Sequence, residues 1–75
     1  MFENVRDFLV EELRKKPEMI TPDAELVGDL GINSLELAEL ALRCDEEFGV
    51  EIEDDDIHRL ITVGDVAAYI EEKQA

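Results

Sequence analysis

One cysteine, one histidine, two prolines and four glycines are all that 75 residues hold of the types that staple, ligate, kink or loosen a chain. The lone Cys44 excludes an intrachain disulfide and a cysteine-based zinc site, and nothing points to an oxidising compartment. Ser34 and the lone His58 do not make a hydrolase: no Gly-x-Ser-x-Gly elbow surrounds Ser34, and no orienting group is evident for His58. His58 reads instead as an exposed residue of a short acidic helix. Basic residues are scarce as well, 7 against 21 acidic ones, for a net charge of -14. Such a charge repels nucleic acid phosphates and anionic lipid headgroups, which leaves basic surfaces of other proteins as natural partners. No long apolar run exists either. Charges interrupt the stretch from Met1 to Lys16, so neither a signal peptide nor a membrane span is expected, and the cytoplasm is the expected location.

What is present suffices for one domain, residues 1–75, with 45% apolar residues against 37% charged ones, but not for a second lobe around a substrate cleft. From Phe2 to Lys15, Val5, Phe8, Leu9 and Leu13 recur at helical spacing, and Pro17 blocks continuation. The segment Ile20 to Gly31 has loop composition, with apolar anchors at Ile20, Leu26, Val27 and Leu30, and Thr21-Pro22 suits the start of a helical turn. A second helix begins near Asn33 or Ser34, where Asn33 and Glu36 can form a capping box, and stops at Gly49. Its core face is Leu37, Leu40, Ala41, Cys44 and Phe48. After an extended Val50-Glu51-Ile52 link, Asp54 to Leu60 reads as one or two helical turns. Thr62 and Asp65 then open a last helix that buries Val63, Val66, Ala67 and Ile70. The expectation is an all-α four-helix bundle.

Ser34 stands at a helix start after Gly31 and a loop, where a phosphodiester would meet free backbone N–H groups and the positive end of the helix dipole. Taken alone, it reads rather as a helix cap, and the context of the helix must decide. Leu35, Ala38 and Leu42 form a second apolar stripe on the side away from the core face, rimmed by Glu39, Asp45 and Glu46. That pattern suits a basic, partly apolar groove on a partner, although two exposed leucines need no explanation in themselves, and the third helix could cover Leu42. The run Asp54-Asp55-Asp56 lacks the glycine and distal glutamate of an EF-hand. It reads as a negative helix N-terminus with weak cation binding as a by-product.

The string Asp29-Leu30-Gly31-Ile32-Asn33-Ser34-Leu35-Glu36, then Glu46-Glu47-Phe48-Gly49-Val50-Glu51-Ile52, then Thr62-Val63-Gly64-Asp65, resembles the acyl carrier proteins over nearly the whole chain. The resemblance implies an up-down bundle with a short third helix and a long first loop. It implies a 4'-phosphopantetheine arm on Ser34, installed from coenzyme A by a phosphopantetheinyl transferase, whose thiol carries acyl groups as thioesters in fatty acid biosynthesis. It also implies that the helix after the serine is read by basic patches on acyl-processing enzymes through Leu35, Glu36, Ala38, Glu39, Leu42, Asp45 and Glu46. The growing chain would fold back among Leu40, Cys44, Phe48, Ile52 and Leu60. A monomer without catalytic residues or a metal is expected.

Two positions depart from that family. Asn33 stands where an aspartate usually precedes the serine, which removes a charge beside the attachment point, and Glu53 stands in place of a frequent proline before the third helix. Arg43 interrupts the acidic helix and is expected beside the docking stripe. The alternatives are a specialised carrier for polyketide or aminoacyl thioester chemistry, and an unmodified acidic adaptor of the same fold.

Overall fold

The apolar spacing becomes four helices in a computed structural model describing residues 1–75: α1 (Phe2–Leu13), α2 (Ser34–Phe48), α3 (Asp54–Ile57) and α4 (Val63–Gln74). No strand forms, and the extended pairing that does occur is one antiparallel bridge between Glu25 and Thr62. α1 stops at Leu13 rather than Lys15. Arg14 takes the left-handed conformation, φ 55° and ψ 41°, which turns the chain out of the helix at a position more often given to glycine. Pro17 opens a 3-10 turn, Pro17–Met19, where its missing N–H costs nothing. The helical turn expected at Thr21-Pro22 is instead a tight turn, closed by the Ala24 N–H donating to the Thr21 carbonyl at 3.1 Å.

The long first loop is fastened to the start of α4. The Leu26 N–H donates to the Ile61 carbonyl at 2.9 Å, Val63 to Ala24 at 3.0 Å and Gly64 to Pro22 at 2.9 Å. A Cβ on Gly64 would stand 2.9 Å from the Pro22 oxygen, so this approach of loop to helix needs glycine. Ile20, Ala24, Leu26, Leu30 and Ile32 are all buried, and the loop is therefore part of the core. Val27 is not the anchor its hydrophobicity suggested. It lies in the turn after buried Leu26 and is 60% exposed.

Val5, Phe8 and Leu9 of α1 are buried, as are Val63, Val66, Ala67 and Ile70 of α4, the four that spacing picked out. α2 contributes Cys44 alone to the fully buried set, and α3 contributes nothing. Leu37, Leu40, Ala41 and Phe48, expected as a core face, are half-buried. α1 and α2 run antiparallel: Arg43 Nε lies 3.3 Å from Glu12 Oε2 toward one end, and the Phe8 and Phe48 rings meet edge-on at 5.6 Å toward the other. The Gln74 side chain donates to the Phe48 carbonyl at 3.0 Å, which sets the end of α4 beside the end of α2. The result is an all-α, up-down four-helix bundle with a short third helix and a long first loop.

Candidate functional site

Gly31, at φ 68°, turns the loop toward α2, and Asn33 then adopts the extended N-cap conformation. Asn33 Oδ1 accepts from the Glu36 N–H at 2.8 Å, while Glu36 Oε1 accepts from the Asn33 N–H at 3.3 Å. This reciprocal box satisfies two orphan donors of the helix start. Asn33 thereby takes the capping role that Ser34 would otherwise compete for. Ser34 becomes the exposed first residue of α2, beside backbone amides that have no carbonyl within the helix to meet. Asn33 makes the bond an aspartate would make there, so the departure at this position changes charge and leaves the cap in place.

Below Ser34, Leu35 is 70% and Leu42 68% exposed, with Ala38 exposed between them. α3 does not cover Leu42. An open groove of about 330 Å³ separates the two helices, with Ala38, Leu42 and Asp45 on one side and Glu51, Ile52, Asp54 and Ile57 on the other. Glu39, Asp45 and Glu46 are exposed around the stripe. Glu36 and Arg43 lie on the flank toward α1, beside Glu12 and Leu13, and Glu39 borders that flank as well as the stripe. The Glu36 carboxylate is engaged in the cap, and the Arg43 guanidinium is paired with Glu12 of α1.

Behind α2 lies an apolar cavity of about 40 Å³. Leu40, Cys44, Ile52 and Leu60 line it, but Phe48 does not; its ring meets the edge of Phe8, which does line the cavity. Sequence reasoning missed Leu9 and Leu26, which reach the cavity from α1 and the loop, and Ile57, which reaches it from α3. The i, i+3 spacing of Ile57 and Leu60 was the available signal for the last of these. Burial first, and the neighbouring Asp45 charge second, push the Cys44 thiol from 9.0 up to about 11. It therefore faces the cavity protonated and weakly nucleophilic. His58 is exposed, and no helix is long and apolar enough to cross a membrane.

The start of α2 thus presents an exposed serine beside a capped helix end, over an apolar strip and a small apolar cavity. Residues 3–70 match the family model described as "Phosphopantetheine attachment site". An acyl carrier protein of Helicobacter pylori is 42% identical over 74 residues, covering 99% of this chain and 95% of the relative. One of Campylobacter hominis is 42% identical over 71 residues, covering 95% and 90%. The chain belongs to the acyl carrier protein family. Its members are carriers without catalytic activity, and their cofactor is covalently attached 4'-phosphopantetheine. The exposed hydroxyl and outward-facing amides at Ser34 fit a phosphodiester at that position.

Proposed function

We propose that Ser34 receives the arm and that residues 1–75 act as one monomeric, cytoplasmic carrier domain of fatty acid biosynthesis, handing acyl intermediates between enzymes. The reading rests on the division of labour at the start of α2, where Asn33 caps the helix and Ser34 is left exposed. In the loading reaction, catalysed by a transferase, Ser34 Oγ forms a bond to phosphorus as a P–O bond of coenzyme A's diphosphate breaks. Adenosine 3',5'-bisphosphate leaves, and the hydroxyl proton passes to a base of the transferase. The terminal thiol of the arm then holds acyl groups as thioesters. A protonated Cys44 does not attack them.

Intact mass after incubation with coenzyme A and a broad-specificity transferase tests the attachment. Wild type should gain one phosphopantetheinyl group and Ser34→Ala none. Failure of wild type and of Asn33→Asp with several transferases would sink the proposal.

Docking is assigned to Leu35, Ala38 and Leu42 together with Glu39, Asp45 and Glu46, with Glu36 reached only from the flank. Carboxylates around an exposed apolar strip steer the carrier to basic patches and keep each encounter brief and salt-sensitive. Glu39→Lys combined with Glu46→Lys should slow acyl transfer while the helical circular dichroism stays unchanged. Full transfer rates in that variant would exclude this face.

The cavity is the proposed berth of the acyl chain. Its 40 Å³ is well below the roughly 150 Å³ of an apolar cavity that takes up benzene, so a chain of several carbons enters only if the walls part. Each buried methylene contributes about 0.8 kcal/mol toward that opening.

A further inference from the structure

The wall that must part is the one least fastened. α3 has no buried residue, and its N-cap, Glu53, makes no side-chain cap bond. It nevertheless supplies Ile57 to the cavity wall, and Leu60 follows in the turn after it. One side-chain hydrogen bond crosses from α3 to the rest of the molecule: the Tyr69 hydroxyl of α4 donates to Asp56 Oδ2 at 2.8 Å. Tyr69 thus grips the first turn of α3 immediately before the two wall residues. Partial burial, then the bond to Asp56, raise the phenol above its ordinary 10.0, so it is protonated and able to donate throughout the physiological range.

The neighbourhood favours release once that grip is lost. Glu51, Glu53, Asp54 and Asp55 carry like charges around this helix, and no salt bridge neutralises them. On its other side α3 faces the open groove below Leu42 rather than a packed surface.

We propose that Tyr69 is a positioning residue for the cargo: its hydrogen bond to Asp56 latches α3 as a lid over the apolar cavity, and the lid opens when that bond breaks. The proposal rests on the reading of the cavity as the berth of the acyl chain. It adds which element moves and which contact holds it.

Cys44 reports on the lid, because it lines the cavity and is the sole thiol of the unloaded chain. The experiment measures the rate at which dithiodipyridine labels Cys44 in the full chain without its arm. Tyr69→Phe keeps the ring and removes the donor, and should raise the rate about tenfold, the effect of losing one hydrogen bond to a charged acceptor. Asp56→Ala should do the same, and the double variant should go no further than either single one. Lys73→Ala removes the ammonium 5.4 Å above the Tyr69 ring, leaves the hydroxyl in place, and should label at the wild-type rate.

Global unfolding also exposes Cys44, so Gly64→Ala, which crowds Pro22 and leaves both partners of this contact unchanged, serves as a comparator, with each rate corrected for measured stability. Wild-type labelling in Tyr69→Phe, or a rise no larger than that of Gly64→Ala at equal stability, overturns the latch. Loading an octanoyl group on the arm separates the two ideas. If octanoyl protects Cys44 in wild type and protects it less in Tyr69→Phe, latch and berth both stand. Faster labelling in unloaded Tyr69→Phe with no octanoyl protection in any variant retains the latch and rejects the berth.

Discussion

The two halves of this small molecule are built to different standards. α1, the first loop and α4 bury Val5, Phe8, Leu9, Ile20, Leu26, Val63 and Ile70, and backbone hydrogen bonds stitch the loop to the start of α4. α2 and α3 together add one fully buried side chain, Cys44, and hold between them a small cavity and an open groove. The first half is a frame whose stability comes from close packing. The second carries the exposed serine, the apolar stripe with its carboxylates, and the lid, to which the first contributes the Tyr69 contact and part of the cavity wall. A carrier must show its cargo to many enzymes and hide it between visits, so the side that handles cargo cannot be packed as tightly as the side that holds the fold.

The largest contrast between the halves should appear in truncations of equal chemistry. Ile70→Ala, in the frame and fully buried, should cost about 2–5 kcal/mol. Leu42→Ala, 68% exposed on α2, should change stability by no more than about 0.5 kcal/mol. Urea unfolding measures both. Acyl-transfer rates should reverse the order among molecules that remain folded, with Leu42→Ala the slower. Equal stability losses at the two positions would erase the distinction between the halves.

Cys44 is where the halves join, and its titration sharpens the comparison. The folded-state value near 11 lies above the unfolded 9.0, so folding favours the protonated thiol. The contribution to stability is fully present below pH 9 and is lost as pH rises toward about 11. Between those limits wild type should lose stability more steeply than Cys44→Ala, as read from midpoints of urea unfolding at stepped pH. Parallel slopes would mean that the thiol is no better buried than its half-exposed neighbours on α2.

Much of the fold was legible because its signals are local. Asn33 with Glu36, Thr62 with Asp65, and Gly49 at φ 68° mark helix ends through neighbours three or four residues away, and the α4 face follows from period alone. Two features escaped because they depend on contacts across the chain. The bridge from Glu25 to Thr62 is made of backbone groups, which leave no trace in residue type. The Tyr69–Asp56 bond picks one carboxylate out of a run of three. Phe48 was misassigned for a different reason. Helical period gives the face of a residue but not its depth along the axis, and four residues beyond Cys44 is about 6 Å further on, where Phe8 is the neighbour. Val27 fell in a turn, where no period exists to say which side chain points inward. At the site itself, Ser34 was legible from its place at a helix start. The Asn33–Glu36 cap was legible too, and what required the geometry was that Ser34 is left exposed beside it.

A smaller loss than that of Ile70→Ala is expected at that cap, and it tests whether α2 is held by its end more than by its face. Asn33→Ala removes the acceptor at 2.8 Å and should cost about 1 kcal/mol. Asn33→Asp keeps the acceptor and places a charge at the positive end of the helix, so stability should hold or rise by about 0.3–1 kcal/mol. Thermal unfolding separates the two variants. Transferase kinetics separate stability from recognition, because Asn33→Asp restores a charge beside Ser34 with the cap intact and should load faster where the transferase offers a basic residue. If Asn33→Ala unfolds at the wild-type temperature, the half-buried contacts of Leu37 and Leu40 hold α2 without its cap, and the functional half is less dependent on local capping than the contrast with the frame implies.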